Sequence, residues 1–156
     1  MIVLNREDLR DQTGMERALR GYFARAAEEY AGSFNILLGA ELASCDYEKS
    51  SLVLAEDPKP WMRNPIDILH GGVSATLLDM TMGLLCRYCS GGYMTPTIDL
   101  NVSYLRPGPM DKRLYIRAEL TKRGMSVCHA AGALWAEGGE DRLIATAVGT
   151  YYVTNR

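Results

Sequence analysis

The segment from Asn64 to Asp79, N-P-I-D-I-L-H-G-G-V-S-A-T-L-L-D, brings together residue types that could do chemistry. It opens with an asparagine and a proline, passes through His70-Gly71-Gly72, and becomes a nearly charge-free helical run carrying one carboxylate, Asp79. An ionised acid in an apolar helix is costly to bury unless it is hydrogen-bonded or used. Asp79 is therefore either a reactive group or a structural acid. A reactive carboxylate serves as general base toward water or as a covalent nucleophile. The amides that open a helix lack intrahelical partners and carry partial positive charge, so Gly71 or Gly72 can stabilise developing negative charge.

The elements that must position these groups follow from the pattern around them. With 156 residues the chain is expected to form a single domain, with 1–33 as an N-terminal helical extension and 34–154 as the core. Thr13-Gly14-Met15-Glu16 spells a capping box, and Asn5 to Asp8 a weaker one. Met15, Leu19, Tyr22, Phe23, Ala26 and Tyr30 then recur at helical spacing, which predicts an amphipathic helix ending near Gly32. Ile36 to Leu42 and Ser51 to Ala55 are expected as strands, joined by a polar turn. Pro58 and Pro60 end the second of them. Gly71 or Gly72 starts a helix that runs to about Tyr88 and is apolar on most sides, hence buried on most sides. Thr95 to Leu105 alternates, with Ile98, Leu100, Val102 and Tyr104 on one face and Thr97, Asp99, Asn101 and Ser103 on the other. Three more strands follow, over 114–121, 127–135 and 143–153, with tight turns that imply an antiparallel sheet.

Composition narrows the function. A hydrophobic share of 47% and a charged share of 23% are those of a globular domain, and a net charge of −2 favours neither nucleic acid nor an anionic membrane as partner. The four cysteines, without a signal sequence, are expected as free thiols. Cys86 and Cys89 close a helix rather than open one, and with His70 and His129 as the histidines no metal site is expected. The opening Met1-Ile2-Val3-Leu4 is too short for a signal core, and no apolar run reaches the roughly 18 residues of a membrane span, so a cytoplasmic protein is expected.

A long apolar helix entered through His-Gly-Gly, with an aspartate nine residues after the histidine, resembles the hotdog-fold acyl-CoA thioesterases of the phenylacetate-pathway (PaaI) type. The residues that carry the resemblance are Asn64, Leu69-His70-Gly71-Gly72, Ala75, Leu77 and Asp79, with the strand Thr97 to Pro107 behind them. It covers about residues 35–153 and implies an α+β hotdog fold. In that fold an antiparallel sheet of about six strands wraps one long central helix, here with an additional N-terminal helix. It further implies a homodimer or homotetramer and an active site at the dimer interface. The implied substrate is an acyl group on coenzyme A, which belongs to the substrate, so no separate cofactor is expected.

By this resemblance the Gly71 amide polarises the thioester carbonyl, and Asp79 acts as general base or nucleophile. Asn64 orients the water or the acyl group, Thr97 positions the water, and His70 holds the loop or lines the pocket. Gly72, Trp61 and Met80 are expected beside the substrate, and Arg106, Lys122 and Arg123 near the coenzyme A phosphates. Each has a plainer alternative: a turn role for Asn64, strand polarity for Thr97, solvated turn charges for the three cations. Eight residues of helix separate Gly71 from Asp79 by about 12 Å, too far for both to serve one carbonyl, so a second subunit must supply one of them. The competing functions are a non-catalytic acyl-CoA binder and a hotdog dehydratase; the latter usually pairs its histidine with an acid, which His70-Gly71-Gly72 and a distant Asp79 do not.

Overall fold

A computed structural model describes residues 6–154. The expectations at Met1–Leu4 and for a cap at Asn5 lie outside the described residues. Six strands form one antiparallel sheet: β1 (Glu41–Asp46), β2 (Ser51–Glu56), β3 (Thr97–Tyr104), β4 (Leu114–Arg123), β5 (Val127–Ala136) and β6 (Ala145–Tyr152). Their order across the sheet is β1-β2-β4-β5-β6-β3. The central helix, α3 (Gly71–Cys89), links β2 to β3 and packs on the concave face against β2, β3, β4, β5 and β6. This is the expected hotdog architecture. The strands do not follow chain order across the sheet: β3 lies at the far edge and pairs with β6 rather than with β4.

α3 forms where the apolar residues predict it. Leu77, Leu78, Met82 and Leu85 are fully buried. Ala75, Asp79 and Gly83, spaced four apart, form a half-buried stripe instead, so the helix keeps one open flank. In Thr81, a polar residue on the buried side, the hydroxyl donates to the Leu77 carbonyl at 2.6 Å, which satisfies it within the helix.

The N-terminal helix, α1 (Gln12–Glu29), starts two residues earlier than the Thr13 box implies. Asp11 is the cap, its carboxylate accepting from the Gly14 amide at 2.7 Å. A carboxylate outcompetes the nearby threonine hydroxyl for that role. The helix ends at Glu29, and Gly32, at φ +79°, lies in the turn beyond it. The predicted strand Ile36–Leu42 is a second correction. Phe34–Leu38 is a short helix, α2, and β1 begins only at Glu41. Ser33 accepts from the amides of Ile36 and Leu37, and Gly39 closes the turn in the left-handed region at φ +80°. A short apolar run has no period of its own; its caps decided the outcome.

α2 is tethered from below. The Lys59 ammonium donates to the Leu38 carbonyl and to Glu56, whose side chain is fully buried. The second Glu56 carboxylate oxygen, Oε2, is buried without a partner among the described residues. Burial raises the Glu56 carboxyl above its usual 4.5, against the opposing pull of Lys59. A carboxyl raised in this way favours folding below its unfolded pKa and loses that contribution as pH rises through the folded value. Lys59→Met leaves the buried charge alone. Urea unfolding should show a loss of about 2 kcal/mol near neutral pH, at the low end for a buried pair because Lys59 is partly exposed. The gap to wild type should narrow as pH falls toward 4.5; a gap that does not change with pH would reject the account.

Candidate active site

Asp79 lies on the open flank of α3, opposite the end of the sheet where β3 starts and β6 finishes. Its Oδ1 receives two hydroxyls: Thr97 Oγ1 donates at 2.8 Å and Tyr151 Oη lies at 3.1 Å. The Tyr151 proton is shared with the Asp79 backbone carbonyl, 3.2 Å away. Both donors converge on one oxygen, so Oδ2 makes no hydrogen bond among the described residues. Burial, and then the charge of Asp79 beside it, raises the Tyr151 hydroxyl well above its usual value, so it donates as a neutral phenol.

Thr97 reaches Asp79 because β3 is irregular. Simple alternation puts Thr97 on the face of Asp99, Asn101 and Ser103. A β-bulge between Thr97 and Asp99 reverses its phase: Thr97 pairs with Tyr151, whereas Asp99 pairs with Thr150. Paired residues share a face, so Thr97 joins Tyr151 on the α3 side and Ile98, the extra residue, is left 57% exposed. Bulges re-aim side chains in this manner. Tyr151 itself was not singled out from sequence. It alternates as an ordinary core aromatic, and its tie to Asp79 spans 72 residues.

Beside Asp79 and Thr97 is a chamber of about 390 Å³, bordered by Met80 on the same helix. Asn64, Trp61, His70, Gly71 and Gly72 do not line it. Those residues are at the other end of α3, where a local network holds the helix start. His70 is the cap, its Nδ1 accepting from the Gly72 amide at 2.9 Å, so in the neutral ring Nε2 bears the proton. The Gly71 amide donates to no group among the described residues. The Gly71 carbonyl accepts from Tyr104 Oη at 2.9 Å, and a Cβ on Gly71 would stand 3.3 Å from the Tyr104 ring. The Asn64 side-chain oxygen accepts from the amides of Ile66 and Ile68, the turn role available to it, while its amide nitrogen makes no hydrogen bond among the described residues. Trp61 sits in a 3-10 turn, Pro60–Met62, half exposed and tilted against Phe34 of α2.

The three predicted cations separate. Arg106 follows β3 near the start of α3, where its guanidinium donates to the Leu143 carbonyl at 3.0 Å; with Lys112 and Arg142 it borders a second cavity of about 250 Å³. Lys122 and Arg123 lie at the opposite end of β4, which places them about 23 Å along the strands from the level of Arg106. Neither of them borders the cavity that Arg106 borders. His129 pairs with Thr150 on the sheet at 3.2 Å, as a satisfied strand residue. The cysteines are free; burial raises the Cys86 thiol far out of the reactive range and pushes Cys89 up to about 11. Among the described residues no cluster of three or more His, Cys, Asp or Glu side chains could hold a metal ion, and no helix is long and apolar enough to cross a membrane.

Known proteins are similar to this chain in sequence and in fold. The thioesterase superfamily matches residues 67–142, which span α3, β3, β4 and β5. The medium/long-chain acyl-CoA thioesterase YigI of Escherichia coli K12 is 34% identical over 141 residues, covering 80% of this chain and 87% of its own length. A phenylacetic acid degradation-related protein of Ralstonia eutropha JMP134 superimposes with a TM-score of 0.71 at 31% identity, over 85% of this chain and 99% of that one. Zebrafish thioesterase superfamily member 2, at 21% identity, shares the fold over 99% of this chain and 100% of its own, with a TM-score of 0.77. On this similarity in sequence and fold, the chain belongs to the thioesterase superfamily, among the hotdog acyl-CoA thioesterases of the phenylacetate-pathway type.

Proposed function

We propose that the protein hydrolyses acyl-CoA thioesters to the free acid and coenzyme A, at a site built from two copies of the chain. The observation that carries this reading is the Asp79 carboxylate: Oδ1 is fixed by Thr97 and Tyr151, and Oδ2 is left for chemistry. A carboxylate kept only for structure would be expected to engage both oxygens. Acting as general base, Oδ2 takes a proton from water as the water oxygen bonds to the thioester carbon. The carbonyl oxygen becomes an oxyanion, the C–S bond then breaks, and the proton passes to the departing thiolate. Acting as nucleophile, Oδ2 bonds to the same carbon, expels the thiolate, and the mixed anhydride is then hydrolysed.

The oxyanion needs a donor, and the uncommitted amide of Gly71 supplies it with the partial charge of the α3 N-terminus behind it. Within one chain that amide is about 12 Å of helix away from Asp79. The edge strand supplies the remedy. Among the described residues β3 has no neighbour on its outer side, and it exposes apolar surface there, with Tyr104 57% exposed. Antiparallel pairing of two β3 edges about a two-fold axis sets Thr97 of one copy against the Tyr104 end of the other. Tyr104 is bonded to the Gly71 carbonyl, so Gly71 of the second copy comes to the Asp79 of the first. The same operation brings Arg106 of one copy toward the end occupied by Lys122 and Arg123 of the other, where the three are available to coenzyme A phosphates.

The relatives support the substrate class, since YigI of E. coli bears the name medium/long-chain acyl-CoA thioesterase. Thiol release over a panel of acyl-CoAs tests the reading. Asp79→Asn should lower kcat by about a thousandfold; an equally active variant would remove Asp79 from the mechanism. Tyr151→Phe and Thr97→Val should each lower kcat by about tenfold with KM little changed, because each removes one donor that orients the carboxylate. A rise in KM alone would place them in binding instead. Co-expressed Asp79→Asn and Gly71→Val chains should regain activity that neither has alone, since each mixed dimer holds one intact site. No recovery in a purified mixed dimer would confine the site to one chain.

A further inference from the structure

The chamber beside Asp79 is covered by the part of the chain that lies outside the superfamily match. Its floor is the open flank of α3, where Asp79, Gly83 and Arg87 follow one another at four-residue intervals and so extend about 12 Å along the axis. Its roof is largely helical: Tyr22, Phe23 and Ala27 come from α1, Ile36 from α2, and Gly39 from the turn that closes α2. All five precede residue 67, where the superfamily match begins. Between Asp79 and Arg87 the floor is lined by Met80 and Leu84, and Gly83 adds no side chain to obstruct it. At the far end Arg87 is nearly buried, with its guanidinium 5.6 Å over the Tyr22 ring and its Nε donating to the Gly92 carbonyl. An alkyl chain that reached this stack would have to break a desolvated cation–π contact to go on.

We infer that the N-terminal helices gauge acyl length. On this inference, which rests on the thioesterase reading above, the methylene chain of the substrate runs from Asp79 along α3 beneath α1 and α2, and the Tyr22–Arg87 stack is its end stop. Two features favour an alkyl occupant over the polar pantetheine arm. The walls between the two ends are mostly apolar, Asn35 and Thr95 being the polar residues and the Thr95 hydroxyl already donating to the Gly83 carbonyl, and the single carboxylate at the mouth is the proposed reacting group. The α2 part of the roof does not float, because Lys59 ties the Leu38 carbonyl to the buried Glu56. Each methylene that enters such a chamber adds about fourfold to kcat/KM, and the gain ceases when the chain meets the stop.

The experiment compares wild type, Ala27→Trp and Tyr22→Ala over saturated acyl-CoAs from acetyl to palmitoyl. Ala27 has an exposed side chain, so its replacement fills the chamber from the roof with little demand on the core; thermal unfolding verifies that both variants are folded. Ala27→Trp should lower the ratio of long-chain to acetyl kcat/KM at least tenfold and move the plateau to shorter chains. Tyr22→Ala should move the plateau to longer ones. Ratios unchanged in both folded variants, including a parallel fall at every length, would overturn the inference and leave hydrolysis standing. If wild type releases no thiol from any member, the thioesterase reading fails. Calorimetry with non-hydrolysable thioether analogues of the same lengths then decides the gauge alone: shifted affinity profiles uphold it and unshifted ones overturn it.

Discussion

A carboxylate halfway along a buried helix is tolerable only if the surrounding fold solvates it, and here the fold does so from two strands at once. Among the described residues, no side chain of its own helix bonds to Oδ1. Thr97 at the start of β3 and Tyr151 near the end of β6 provide the hydroxyls. Both strands must therefore finish at the same place beneath α3, which they do only because β3 crosses to the far edge of the sheet and lies antiparallel to β6. The strand order that departs from a simple meander is the order that lets one acid be held by two hydroxyls.

The same crossing leaves β3 without an outer neighbour among the described residues. Its inward side chains, Leu100 and Val102, are only half buried, and Tyr104 touches the helix start through its hydroxyl while its ring stays open. The chain thus ends its sheet on a strand that is attached to both halves of the proposed machinery, the carboxylate at one end and the uncommitted Gly71 amide at the other. Solvation of the acid and exposure of an edge both follow from where β3 sits.

Much of this was legible in the sequence. The lone acid in α3, the glycine start of that helix and the eight-residue interval between them could be read because helical geometry is local and regular. What escaped depended on contacts distant in the chain or on caps. Tyr151 is indistinguishable from a core aromatic until its partner 72 residues away is placed. Phe34–Leu38 offers five residues with no decisive period, and Gly39 settled it as a helix. Thr97 was singled out with its face wrongly assigned, because alternation assumes an unbroken ladder. Arg106, Lys122 and Arg123 looked alike as turn cations, and only the three-dimensional sheet separates them into two ends.

The bulge at Ile98 has a consequence for how such a strand tolerates change. Ile98 makes no evident demand on side-chain identity, being mostly exposed, yet it is the residue that turns Thr97 inward. Its contribution is arithmetic. Substitution there leaves the parity of the strand intact, whereas loss of a single residue would exchange inside for outside at Thr97 and take a hydroxyl from Asp79. Variation at this position should therefore be free in kind and fixed in number.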